Sequence, residues 1–129
     1  MKYSWCWLLA VPVFSQAAFA FDQCGPLTNA YGPYDYWVDK DRIGIVEVAH
    51  MRAEDQSGKW AGGLDYTLRA IPNHPQALMA MVRMAEQAKV EKVPGAHYSV
   101  ECFFDRALRF RPKDGMARMI YATYLAKRG

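Results

Sequence analysis

Through most of the second half of the chain, apolar residues recur three and four positions apart, the spacing of one face of an α-helix. Ala77, Met81, Met84 and Ala88 make one such face, and Leu78, Val82 and Ala85 widen it. A helix is predicted from residue 76 to about 89, with Pro75 at its first turn, where a missing N–H costs nothing. Cys102, Phe103, Phe104, Ala107 and Leu108 predict another helix over 98–110. Ile43, Val46 and His50 share a face in an earlier one ending near 51, with Asp39 or Asp41 as its cap. Gly62 and Gly63 open a second helix that runs to 71, and Asp114 caps a last one to 127. Turn residues separate these segments at 56–59, 72–75, 93–95 and 112–115. No segment alternates with the two-residue period of a strand, so the predicted fold is all-α, with five helices antiparallel in sequence.

The chain nearly repeats itself at an offset of 40 residues. Asp65/Asp105, Leu68/Leu108, Arg69/Arg109, Pro72/Pro112, Ala77/Ala117 and Met79/Met119 are identical pairs at that distance. A unit of helix, proline-stopped turn and helix cannot bury its apolar face alone, so such units stack on their neighbours. That architecture favours a binding surface over a catalytic cleft.

The repeated residues resemble the tetratricopeptide repeat (TPR) family. Phe104, Ala107 and Pro112 stand at the spacing with which that family closes a repeat, and Leu64, Pro72, Ala77 and Met81 match in the earlier copy, with Thr67 in place of alanine. Tyr121, Ala122 and Leu125 are a looser match to the pattern that opens a repeat. The likeness covers residues 62–128, and an insertion around 89–96 accounts for a period longer than the usual value of about 34. With its Cys24–Leu27 start and its tyrosine-rich arm, the chain is similar to small exported bacterial proteins of this kind. The resemblance implies a groove that holds a partner's peptide or helix, faced by Gln76, Met79, Arg83, Glu86, Met116, Met119 and Thr123. Methionines at 79 and 119, where polar clamps would sit, imply an apolar, adaptable groove with Arg83 as its charged edge. Two units fall short of the roughly three a stable solenoid needs. The arm and a disulfide would then act as caps, and Met116, Ile120 and Tyr124, left uncovered, would favour self-association or a partner.

The N-terminus reads differently. Lys2, an apolar run from Trp5 to Phe14 and the small-x-small triplet Ala18–Ala20 form a signal peptide over residues 1–20. The apolar run is shorter than the roughly 20 residues of a membrane span, and an uncleaved anchor is the competing reading. Residues 21–40 form an irregular arm, broken by Gly25–Pro26 and Gly32–Pro33 and too rich in Tyr31, Tyr34, Tyr36 and Trp37 for a disordered tail. Residues 41–129 form the helical domain. Removing the leader takes Cys6 with it and leaves Cys24 and Cys102, an even count that reads as a disulfide in an exported protein. Closing so long a loop stabilises by roughly 4 kcal/mol in the chain-entropy account. A reactive or metal-binding thiol pair is the alternative. A periplasmic or secreted location follows, in a bacterium of Gram-negative type, with no stable membrane anchor after cleavage.

Charge and chemistry narrow the function further. The formal net charge is only +3 and loses one more unit with Lys2, so no basic stripe for nucleic acid exists. His50, His74 and His97 lack ligand spacing; they read as a half-buried helix residue, a loop residue and a helix-start residue. Glu47 is expected to pair with nearby arginines, and the other acids to lie on solvated helix faces. No nucleophile elbow, phosphate loop or dinucleotide fingerprint occurs. The methionines of the helices fit core packing better than a copper(I) site. The reading is a noncatalytic protein-binding scaffold or assembly factor of the bacterial envelope, without cofactor or metal. The alternative is a module for cell-wall glycan or a small ligand that uses the aromatic arm.

Overall fold

A computed structural model describes residues 24–28, 30–51 and 60–129. The expected leader, with Cys6, and the expected loop at 56–59 lie outside the described residues. Five helices follow one another among the described residues: α1 Lys40–His50, α2 Trp60–Ala70, α3 Pro75–Ala88, α4 Val100–Phe110 and α5 Gly115–Arg128. The fold is all-α, and no strand occurs among the described residues. Both α2 and α4 have 11 residues, both α3 and α5 have 14, and each pair starts 40 positions apart. Matching positions also have matching surroundings. Leu64 and Phe104 are buried, as are Thr67 and Ala107, and Ala77 and Ala117. Arg69 Nε bonds Asp65 Oδ2 at 2.9 Å, and Arg109 Nε bonds Asp105 Oδ2 at 2.8 Å.

Local chemistry sets the helix ends. Ser99 Oγ accepts from the Cys102 N–H at 3.2 Å, and Asp114 Oδ1 from the Ala117 N–H at 3.0 Å, so each caps the helix that follows it. α3 closes on Lys89 in the left-handed region (φ 54°), with the Val90 N–H returning to the Ala85 carbonyl at 3.0 Å. Two starts differ from the sequence reading. Asp39 holds the cap position of α1 without a capping bond, because its carboxylate accepts from the Asp35 N–H at 2.7 Å. α2 begins at Trp60, before the glycine pair. Gly63 lies instead where α2 meets α1, and a Cβ there would run into the His50 carbonyl.

α3 is the central helix, packed on α2, α4 and α5. Leu64, Leu68, Leu78, Met81, Val100, Phe103 and Phe104 fill the main core. Tyr121 stacks on Phe104 with centroids 4.7 Å apart. Ile120 and Tyr124 are buried, at 8 % and 3 % exposure, against the expectation that they lack cover. They belong to the main core, and the Tyr124 ring lies 5.9 Å from that of Phe104. Met116 does stay exposed. A smaller cluster joins Ile43 and Val46 of α1 to Ala70 and Ile71, with Tyr34 and Tyr36 of the arm packed against it.

The arm is fastened at both ends. Cys24 and Cys102 form a disulfide. Beside it, the buried Arg106 donates from one nitrogen, Nη1, to the carbonyls of Cys24, Gly25 and Pro26 at 3.0, 3.3 and 2.7 Å. Arg109 Nη2 reaches the Gly25 carbonyl at 2.9 Å. Further on, the Tyr34 N–H bonds the Ala70 carbonyl at 2.8 Å. Asn73 then joins three segments. Its Oδ1 accepts from the Tyr36 N–H, and its Nδ2 donates to Asp35 Oδ1 at 3.1 Å and Asp114 Oδ2 at 3.0 Å. Among the described residues no helix is long and apolar enough to cross a membrane.

Candidate functional site

α3 and α5 lie side by side, and one stripe of each faces the gap between them. Residues 79, 82, 83 and 86 recur at helical spacing on α3, as do 119, 120, 123, 124 and 127 on α5. Together they enclose a groove of about 320 Å³. Val82, Ile120 and Tyr124 form its buried floor, and Met79 and Met119 stand exposed above it. Their flexible thioethers can repack around different apolar side chains.

The polar rim is unequal. Lys127 Nζ lies 3.6 Å from Glu86 Oε1, spanning one edge of the groove. Thr123 Oγ1 donates back to the Met119 carbonyl at 2.9 Å, so its proton is committed within α5. Arg83 is exposed and makes no ion pair among the described residues. Five of the seven residues expected to face a partner therefore meet around one groove. Gln76 does not line it; its Oε1 accepts from the Tyr36 hydroxyl at 3.2 Å, which ties it to the arm. Met116 lies outside the lining as well. The sequence reading missed Val82, Ile120, Tyr124 and Lys127 as groove residues, although all four continue the same helical stripes.

The histidines occupy more specific places than their sequence contexts suggested. His74 is fully buried and caps α3: its Nδ1 accepts from the Ala77 N–H at 3.2 Å. That bond fixes the neutral tautomer, so Nε2–H donates to Glu47 Oε1 at 2.8 Å. Glu47 thus pairs with a histidine, and among the described residues no arginine pairs with it. Burial holds the His74 pKa below its ordinary value, although Glu47 opposes the shift. His50 stacks on Tyr66 at 3.8 Å; burial, then the Arg69 charge, lowers its pKa too. His97 lies just before α4. Its N–H and Nδ1 grip the buried Asp65 carboxylate at 2.8 and 2.7 Å, leaving the side chain 59 % exposed. Among the described residues, no group of three or more His, Cys, Asp or Glu side chains is placed to hold a metal ion.

No family model, no curated protein and no solved structure matches the chain.

Proposed function

We propose that the protein is a noncatalytic scaffold that holds a segment of a partner protein in the α3–α5 groove. The observation that carries this reading is the meeting of Met79, Arg83, Glu86, Met119 and Thr123 around one apolar-floored groove. Its chemistry suits an amphipathic segment with one or two apolar side chains for the methionine-lined floor and an acidic residue opposite Arg83. Stacked helices of the tetratricopeptide kind present such grooves, and the matching spans of α2–α3 and α4–α5 support that comparison.

The setting we infer is the bacterial envelope, reached by export behind the leader. The Cys24–Cys102 disulfide supports an oxidising compartment. The partner's role there would be assembly or accessory work, with the arm and disulfide stabilising a short stack of helices.

Site-specific photocrosslinking in the native host tests this. A crosslinker at Met119 should yield one recurrent protein adduct, lost in a Met79→Glu/Arg83→Ala double variant that keeps its helical spectrum. A crosslinker at Asp41, on α1 and outside the groove lining, should not yield that adduct. Equal labelling from both positions, or an adduct that survives the double variant, would refute the groove as the docking site.

A further inference from the structure

A second cavity, of about 430 Å³, opens where the arm crosses the turn between α4 and α5. It is lined by Asp35, Trp37, Arg111, Pro112, Lys113 and Asp114. These side chains divide into those that hold the site and those left to touch a ligand.

The two carboxylates belong to the first group. Asp35 Oδ1 accepts from the Trp37 N–H and from Asn73, and its Oδ2 from Arg111 Nε. Asp114 Oδ2 accepts from the Trp37 indole N–H at 3.0 Å and from Asn73, while its Oδ1 caps α5. Both are buried, at 5 % and 9 % exposure. Asp35 Oδ1 and Asp114 Oδ2 thereby fix the position of Trp37, while Asp35 Oδ2 holds Arg111 and Asp114 Oδ1 holds the start of α5.

Trp37 is held on several sides at once. Its backbone and indole N–H groups are bound, and the Tyr36 ring packs perpendicular to it, with centroids 4.9 Å apart at 87°. Yet the residue remains 49 % exposed. Lys40 Nζ lies 5.4 Å from its ring, and an indole whose single polar atom is satisfied inward while half its surface stays in water contributes less to folding than a buried one. Fixed in this way, it offers a preorganised flat wall, which lowers the ordering cost of binding.

Two cations complete the lining. Lys113 is exposed and makes no hydrogen bond or ion pair among the described residues. Arg111 uses Nε on Asp35 and Nη1 on the Phe110 carbonyl, which leaves Nη2 without a hydrogen bond among the described residues. One fixed aromatic wall, the Pro112 ring, the unpaired ammonium of Lys113 and the open Nη2 edge of an Arg111 already paired with Asp35 call for a ligand with an apolar face and a negative charge.

We propose that this cavity binds an acidic saccharide, a pyranose ring whose C–H face lies on Trp37 and whose carboxylate is held by Lys113 and Arg111 Nη2. A sugar ring presents an apolar face to a single aromatic wall while its edge keeps contact with water and with charged groups, as this one-sided site requires. The site lies at the N-terminal end of α5 and does not depend on the groove reading.

The test follows the Trp37 indole N–H signal by NMR in the intact, oxidised protein. Probes are D-glucuronate, neutral D-glucose and benzoate, each titrated through the millimolar range. Glucuronate should shift the signal saturably, and glucose should bind at least about tenfold more weakly, the effect of losing one charge-assisted hydrogen bond. Lys113→Glu changes an exposed residue and should weaken glucuronate by a similar factor while leaving the spectrum folded. Trp37→Ala should abolish binding, read from the Lys113 and Gly115 backbone signals. The proposal is overturned if no probe binds, if glucose equals glucuronate, if benzoate binds more tightly than the sugar acid, or if Lys113→Glu has no effect.

Discussion

Replacing Asn73 by aspartate exchanges one amide nitrogen for an oxygen and leaves the shape of the side chain almost unchanged. In the native protein that nitrogen donates to Asp35 Oδ1 at 3.1 Å and to Asp114 Oδ2 at 3.0 Å. Each is a hydrogen bond to a charged acceptor, contributing about 1.5–3 kcal/mol. Losing both costs about 3–6 kcal/mol at neutral pH, a large part of the roughly 5–15 kcal/mol that holds a domain folded. The new carboxyl would be buried against two carboxylates, so its folded pKa rises above the unfolded value of about 3.9. A raised carboxyl pKa destabilises the folded state increasingly as pH climbs from the unfolded value to the folded one. The deficit of Asn73→Asp relative to the native chain should therefore grow by up to about 2.7 kcal/mol between pH 5 and 7, two units at about 1.36 kcal/mol each. Urea unfolding followed by circular dichroism at pH 5, 6 and 7 reads this difference, and titrations common to both proteins cancel. A deficit under about 1 kcal/mol at pH 7, or one that does not change with pH, would refute the hub as drawn.

Other perturbations separate the remaining contacts. Gly63→Ala should destabilise by about 1–2 kcal/mol despite its better helix propensity, because the added methyl meets the His50 carbonyl; Gly44→Ala, with open space around it, should stabilise by up to about 1 kcal/mol in the same thermal scan. Because burial lowers the folded pKa of His74, its neutral form stabilises the protein above the unfolded value near 6.5, and that contribution is lost as pH falls through the folded pKa. Denaturation between pH 7 and 5 should show this loss, and His74→Asn, which can cap without titrating, should flatten it in part, the rest belonging to His50. Arg106→Met should cost about 3 kcal/mol or more by leaving the Cys24 and Pro26 carbonyls without their donor, Gly25 keeping Arg109, and amide exchange should speed up at 25, 27 and 28 while α5 keeps its protection. Reducing the disulfide, which closes a span of 78 residues, should lower the unfolding free energy by roughly 4 kcal/mol in urea.

The helices were legible because each carries its own local signal. Apolar spacing gives α3 and α4 their faces, and Asp114 and Pro75 mark starts that the chain then uses, whereas Ser99, the cap of α4, is not among the sequence signals, which start that helix at 98. The groove was partly legible for the same reason, since Met79, Arg83 and Glu86 lie on one stripe of one helix. Gln76 begins that stripe, yet it is drawn to Tyr36, a partner 40 residues away that no periodicity announces. The buried polar residues were not legible. Asn73 and His74 sit between two prolines and read as a tight turn, and nothing in the arm's sequence marks Asp35 as buried. Their distant partners lie 27 to 76 residues off in the chain, so only the packed fold brings Asp35, Asn73 and Asp114 together. A buried neutral histidine used as a helix cap also falls outside the usual Ser, Thr, Asp and Asn signals.

The three carbonyls gathered by Arg106 also bear on how the covalent bond is made. Arg106 sits one turn of α4 beyond Cys102, and Arg109 one turn further, so a single helix presents the thiol and the guanidinium groups that draw in the backbone at Cys24. Docking by hydrogen bonds raises the local concentration of one sulfur around the other before any oxidant acts. On this geometry oxidation would record an arrangement that the hydrogen bonds already favour, and the bond would act as a latch on a closed door.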